Sequence, residues 1–262
     1  MKTEQLYNLF KESKGVSTDT RAIKNGEMFF ALWGSKYNGN LYATEALERG
    51  ALVAVIDDPL YETDKTVLVD DCLFELQALA AHHRKELKIP VLAITGTNGK
   101  TTTKELIAAI MARKLKVHYT KGNLNNHIGV PLTILSAPPE TEMMIVEMGA
   151  NHIGEIASYC RIALPNYGII TNCGKAHLEG FGSEEGVKKG KGELFDHLRA
   201  NNGTAFVMWD YDYLRDMSKG ISNIFKYGTA GADIEGHVTK SEPFLEVAID
   251  KGIKKSSLKH SW

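Results

Sequence analysis

The chain has 262 residues, with 31 Lys and Arg against 32 Asp and Glu and a formal net charge of -1. So even a balance gives no electrostatic case for nucleic acid or an anionic membrane as a partner. The chain's length suits one large or two ordinary domains and 43% hydrophobic residues are ordinary for a globular protein, while three scattered cysteines without a CxxC pair argue against structural zinc and for a reducing compartment.

In chain order, Met1 to Gln5 lacks the apolar core of a signal peptide, and no apolar run is long enough to span a bilayer. The expected location is the cytoplasm. Leu6, Leu9 and Phe10 mark a short opening helix. Strand-like runs follow at Met28 to Leu32, Leu52 to Ile56 and Thr66 to Val69, with helical patterns at Tyr42 to Arg49 and Leu73 to Leu87. His82 and His83 on the latter helix read as surface residues. Lys88-Ile89-Pro90 is a plausible boundary, because the residue before proline is pushed out of helix. Residues 1–88 are expected to form a small α/β domain, and residues 89–262 a second domain.

Pro90 to Ile94 reads as a buried strand, and Leu106, Ile107, Ile110 and Met111 recur at helical spacing within Lys104 to Lys114. Between them lies Thr95-Gly96-Thr97-Asn98-Gly99-Lys100-Thr101-Thr102-Thr103. A glycine-rich turn between strand and helix aims backbone N–H groups and the positive helix end at one spot, which suits a polyphosphate. Lys100 would reach the β and γ phosphates and the Thr101 hydroxyl would bind Mg2+. The Walker spacing asks for glycine at position 94; Ile94 stands there, so the loop is a shortened relative.

Strands then alternate with helices: Met143 to Val146, Gly154 to Arg161, Tyr167 to Thr171, Glu184 to Arg199, Thr204 to Met208, Tyr211 to Met217. Such alternation implies βαβ units and a mostly parallel sheet with ligands at the carboxyl ends of its strands. Ile234 to Val238 and Phe244 to Ile249 alternate instead like an antiparallel hairpin. The expected fold class is α/β: a small domain, then a P-loop-type, mostly parallel central sheet with a hairpin near the end.

Several polar clusters fall at strand ends. Glu147, after four apolar residues, is placed to hold a nucleotide-bound Mg2+ or to be a solvated strand end. His177, in the loop after the next strand, reads either as a ligand of a second metal or as a packing residue. Lys188, Lys189 and Lys191 sit at a helix start, where cations oppose the dipole and hint at an anionic partner. Gly122 to His127 is an amide-rich loop, either turn chemistry or a donor-rich surface. Ser17-Thr18-Asp19-Thr20-Arg21 offers a pyrophosphate or uracil contact, or a capped turn. Lys254, Lys255 and Lys259 form a basic, solvated tail.

These motifs together resemble the Mur ligases of bacterial cell-wall synthesis. Thr95 to Thr103 is similar to that family's ATP loop, with Gly96, Thr97, Asn98, Gly99, Lys100, Thr101 and Thr102 as its nucleotide contacts. Asn123 to Thr133, Glu147 to Ile156, Ala176 to Ser183 and Lys191-Gly192-Glu193 are similar to further signatures of the branch that extends a UDP-N-acetylmuramoyl-tripeptide. Ser17 to Arg21 and Phe30 to Gly34 resemble the family's uridine-nucleotide domain. The resemblance implies that ATP phosphorylates the terminal carboxylate of UDP-N-acetylmuramoyl-tripeptide and that the amine of D-alanyl-D-alanine displaces phosphate from the acyl phosphate. On it, Lys100 serves the phosphates, Thr101 and Glu147 the first Mg2+, and His177 a second. It implies a carbamylated Lys191 as well, a carboxylate where an ammonium would be repelled by two cations. Lys100, Lys191 and His177 are thus the expected catalytic residues. Ser17, Thr18, Asp19, Arg21, Asn123, Asn125, Asn126, Asn151 and His152 are the expected substrate contacts.

The family's third, C-terminal domain of about 130 residues, an ordinary domain size, is expected to be absent, because the chain ends before it. Domain closure supplies orientation and water exclusion, so the polypeptide alone, expected to be a monomer, should show little ligation. Two alternatives stay open: the diaminopimelate- or lysine-adding Mur ligase, and a nucleotide-binding remnant without catalysis.

Overall fold

A computed structural model of the chain describes residues 3–35, 37–174 and 178–252. His177 and the basic tail with Lys254, Lys255 and Lys259 lie outside the described residues. The described chain divides into two compact units. The first gathers the residues up to Val91 with Lys104–Met148 and Ser158–Leu164; the second gathers Leu92–Thr103, Gly149–Ala157 and the residues from Pro165 onward.

The first unit contains a four-stranded parallel sheet of Val16–Ser17, Met28–Phe30, Val53–Ile56 and Thr66–Leu68, in that order. Met28 to Phe30 and Val53 to Ile56 are buried at every position, as expected of parallel strands covered on both faces. The helix Cys72–Leu87 buries Leu76, Leu79 and Ala80 and packs against the helices Thr3–Glu12 and Gly129–Leu135. Asp71 caps it by accepting from the Phe74 N–H at 2.8 Å. Lys88 ends it in the left-handed region at φ 49°. The same unit holds the parallel pair Val117–Tyr119 and Met143–Glu147, with Tyr119 opposite Ile145.

The second unit's strands run in the order Glu246–Lys251, Ile234–Lys240, Asn223–Gly228, Thr204–Met208, Tyr167–Ile170, Val91–Thr95. All adjacent pairs are parallel except the first, which is the anticipated antiparallel hairpin. Gly168 lies opposite both Ala93 and Ala205, so the centre of the sheet is built from small residues. The α/β class, the mostly parallel pairing and the hairpin are therefore as the sequence implies.

Three differences have local causes. The helix after the glycine loop begins at Lys100, not Lys104, because its first turn is polar and carries no apolar period. The strands Val117–Tyr119 and Asn223–Gly228 escape sequence reading: one is three residues long, and the other mixes exposed and half-buried positions. His82 and His83 are not surface residues. Both are half-buried under the opening helix, with the His82 ring 4.4 Å from that of Tyr7 and the Tyr7 hydroxyl 3.3 Å from His83 Nδ1. Burial holds His83 below the usual imidazole range. Period alone could not show which helix would lie across them.

Candidate functional site

The glycine loop leaves the fully buried strand Val91–Thr95 and turns into the helix Lys100–Met111. Gly96 has φ 149° and Gly99 φ 78°, conformations that L side chains rarely adopt. A Cβ on Gly96 would also collide with the Thr171 hydroxyl. The neighbouring strand end fixes the loop: Asn98 N–H donates to Asn172 Oδ1 at 3.1 Å, Thr171 Oγ1 donates to Asn98 O at 2.6 Å, and Thr97 N–H donates to Asn172 O at 2.9 Å. Lys100 Nζ folds back over the loop onto Gly96 O at 2.8 Å and Thr97 O at 3.1 Å. Thr101 and Thr102 open the helix on its exposed side, where N-terminal N–H groups and the dipole favour an anion.

Lys191 interacts electrostatically with Lys100. It projects from the helix Glu184–Ala200, which Ser183 caps by accepting from the Gly186 N–H at 3.0 Å, and it is only 2% exposed. Burial, with the Lys100 ammonium as second cause, pulls its pKa down to about 8. Repulsion between two lysines is relieved by an anionic ligand. Cys173 is near both Lys188 and Lys191, but burial pushes its thiol up to about 11, so it is no thiolate at neutral pH.

Glu193, one turn fragment beyond Lys191, accepts from the N–H groups of Gly154 at 2.5 Å and Ala157 at 2.8 Å. It caps the helix Glu155–Ala163 from a different element. Glu155 in turn accepts from Asn151 N–H at 2.6 Å and His152 N–H at 3.1 Å. Gly180 allows this loop its close approach, since a Cβ there would strike Asn151 O and the His152 ring. Asn151 and His152 are thereby held as an ordered, exposed pair.

In the first unit, Glu147 ends a fully buried strand and is itself 1% exposed. Its Oε1 accepts from Asn125 Nδ2 at 2.8 Å, its N–H donates to Thr120 Oγ1 at 3.0 Å, and Lys104 Nζ stands 3.5 Å from its Oε2. Asn126 uses its side-chain oxygen on the N–H groups of Ile128 at 3.1 Å and Gly129 at 2.8 Å, starting the helix Gly129–Leu135. Asn123 is exposed beside them, its carbonyl taking the Asn125 N–H.

The unit also has a cavity of about 660 Å³ whose wall includes Thr18, Asp19, Arg21, Leu32, Tyr37 and Tyr42. Ser17 is not on this wall; its hydroxyl donates to Asp19 O at 3.0 Å. Arg21 grips Asp19 through Nε at 2.9 Å and Nη2 at 2.7 Å, which holds the Asp19 carboxyl down at about 2. Across the loop, Asp57 Oδ1 accepts from Trp33 Nε1 and Asn40 Nδ2, both at 2.8 Å.

Of the residues singled out from the sequence, Lys100 lies over the glycine loop, and Thr18, Asp19 and Arg21 line one cavity wall. Sequence reasoning missed Lys104, the capping role of Glu193, and the parts played by Asp57, Tyr37 and Tyr42. Among the described residues no group of three or more His, Cys, Asp or Glu is placed to hold a metal unaided.

The fold and the loop define a phosphate-loop α/β protein. The family description "Mur ligase middle domain" matches residues 94–255, more than half the chain, and the chain belongs to the Mur ligase family. It is 36% identical over 243 residues to the UDP-N-acetylmuramoyl-tripeptide--D-alanyl-D-alanine ligase of Bacillus subtilis (strain 168), covering 92% of this chain and 53% of that one. To the enzyme of the same name from Escherichia coli (strain K12) it is 41% identical over 195 residues, covering 74% and 43%. The chain thus spans about half the length of the curated relatives it matches. Among solved structures it is similar to MurF from Acinetobacter baumannii, with TM-score 0.81 and 28% identity over 94% of this chain and 60% of that one. The MurF ligase from Thermotoga maritima in complex with ADP gives 0.84 and 29% over 94% and 57%.

Proposed function

We propose that this chain carries the substrate-nucleotide and ATP sites of an ATP-dependent ligase that adds D-alanyl-D-alanine to UDP-N-acetylmuramoyl-tripeptide in cytoplasmic peptidoglycan precursor synthesis. The observation that carries this is the Gly96 to Gly99 loop between a buried strand and a helix, with Lys100 folded over it, in a chain of this family. Residues 1–88 serve the uridine nucleotide and residues 89–262 serve ATP. A structure of the diaminopimelate-adding ligase matches with TM-score 0.55 and 20% identity, a likeness of fold alone, which favours the D-alanyl-D-alanine branch over that alternative.

In this reading Lys100 leaves the Gly96 and Thr97 carbonyls to meet the β and γ phosphates, while N–H groups at Gly99 to Thr102 orient them. Glu147 and the Thr101 hydroxyl are each oxygen donors, the chemistry a hard cation prefers, so each by itself suits Mg2+. The ion, when bound, neutralises charge on the phosphates. The tripeptide carboxylate takes the γ-phosphoryl group from ATP and ADP leaves. The dipeptide amine then attacks the acyl carbon, loses a proton, and phosphate departs as the amide forms. Asn151 and His152 in one unit, and separately Asn123 and Asn125 in the other, are polar groups suited to a peptide substrate. Thr18, Asp19 and Arg21 line the uridine-nucleotide cavity, and Ser17 orders the turn beneath them. The neutral amine of Lys191 would add CO2 and release a proton, giving a carbamate that would serve as a carboxylate toward Mg2+, and His177 would serve a second Mg2+.

Calorimetric titration of this chain with the uridine-linked tripeptide tests the reading. Saturable binding competed by UDP is expected. Binding of ATP with indifference to the uridine-linked tripeptide would leave a generic nucleotide module instead.

A further inference from the structure

The most anomalous charge among the described residues is Lys104, whose side chain is 0% exposed. Its Nζ lies 3.2 Å from Glu105 Oε1, 3.5 Å from Glu147 Oε2 and 3.4 Å from Gly122 O, with the Tyr119 ring centroid 5.9 Å away. Taking an ammonium out of water is costly, and replacing a buried ion pair as a whole by apolar side chains often leaves a fold as stable or more so. Holding the helix Lys100–Met111 in place therefore does not call for a lysine here. The ammonium does something a methyl group would not: it pins one oxygen of Glu147, while Asn125 Nδ2 pins the other at 2.8 Å.

We infer that Lys104 is a positioning residue: its buried ammonium and the Asn125 amide fix the Glu147 carboxylate in the orientation in which it meets the nucleotide's cation. The inference rests on the reading of Glu147 as a Mg2+ donor. A hydrogen bond from Asn125 on one oxygen and the Lys104 ion pair facing the other restrain rotation about the last side-chain bond, so the carboxylate is held before any ligand arrives. The Gly122 carbonyl adds a second consequence. The turn that leads into Asn123 to Asn126 is tied to the same ammonium, so the amide loop and the carboxylate share one anchor.

A charge argument and a positioning argument predict opposite signs, which makes the test sharp. Removing a positive charge beside Glu147 should by Coulomb's law alone strengthen cation binding. If Lys104 positions the carboxylate, removal weakens it. ADP affinity of this chain, measured by calorimetry with Mg2+ and again with chelator, gives the Mg2+-dependent gain for wild type, Glu147→Gln, Lys104→Met, Asn125→Ala and Glu105→Gln. Glu147→Gln should erase most of the gain. Lys104→Met should cut it about tenfold, on the scale of one close, desolvated charge pair, with ADP affinity in chelator unchanged. Glu105, 51% exposed, shares the ammonium from the solvent side, and Glu105→Gln should leave the gain within about twofold. Asn125→Ala should reduce it even if Lys104→Met folds poorly, and a full gain in Asn125→Ala would overturn the inference. An unchanged or larger gain in folded Lys104→Met would overturn it too, with the Glu147→Gln loss showing that the metal reading survives. Glu147→Gln without effect would remove both.

Discussion

The glycine loop of the second unit and the cavity of the first are built on opposite plans. The loop is continuous in sequence: Gly96 to Thr102 supplies its turn, its lysine and its helix start, and only Thr171 to Gly174 is borrowed from elsewhere to brace it. The cavity is assembled from separated pieces, with Thr18 to Arg21 on one side, Tyr37 and Tyr42 on another, and Asp57 holding the Trp33 to Asn40 segment from a third strand. The first kind of site is rigid because its backbone leaves no choice. The second is rigid only as long as its buried hydrogen bonds persist.

The largest effect that would break this contrast comes from Gly96→Ala. With φ at 149° and Thr171 Oγ1 in the way of the new carbon, ADP affinity should fall by about a hundredfold, the cost of strained backbone moved out of register. UDP affinity should be untouched. An alanine variant that binds ADP normally would mean the loop is not fixed by its backbone. Asp57→Ala is the counterpart in the other unit. Loss of the Trp33 and Asn40 hydrogen bonds should weaken UDP binding about tenfold, one or two buried hydrogen bonds' worth, and leave ADP alone. Equal loss for both nucleotides would show general destabilisation in place of a local wall.

Lys191 gives a smaller, pH-dependent effect. Its folded pKa of about 8 lies below the ordinary lysine value. Between the two, the unfolded chain holds a proton that the folded chain has shed. Stability due to this group therefore rises with pH from about 8 upward, and the burial penalty is fully present below 8. Lys191→Met should flatten that rise in chemical-denaturation midpoints measured from pH 7.5 to 10. The same shift favours the neutral amine, so carbon-13 bicarbonate should label Lys191 more completely as pH increases through about 8. Labelling that ignores pH, or that persists in Lys191→Met, would count against the carbamate.

The same contrast explains what could be read from the chain beforehand. The loop was legible because each of its requirements is local: glycines at positive φ, a lysine after them, an apolar strand before and a helix behind. The parallel sheet was legible because buried strands appear as unbroken apolar runs such as Val91 to Ile94 and Met143 to Val146. Lys104 was not, since a lysine in a helix reads as solvated until the strand and turn that enclose it are in place. Asp57 and His83 were hidden for the same reason, each defined by partners 15 to 76 positions away. Glu193 stood in a recognised motif, yet that it caps a helix contributed by another part of the chain depends on packing alone.

The central claim is that Lys100 and the Gly96 to Gly99 loop hold a polyphosphate, and the ratio of ADP to AMP affinity of this chain measures it most directly. The account predicts that ADP binds tighter than AMP by about tenfold or more, on the scale of a lysine contact to a second phosphate, and that Lys100→Met brings the two nucleotides level. Equal binding of AMP and ADP by the unaltered chain, or a Lys100→Met variant that keeps the preference, would contradict it.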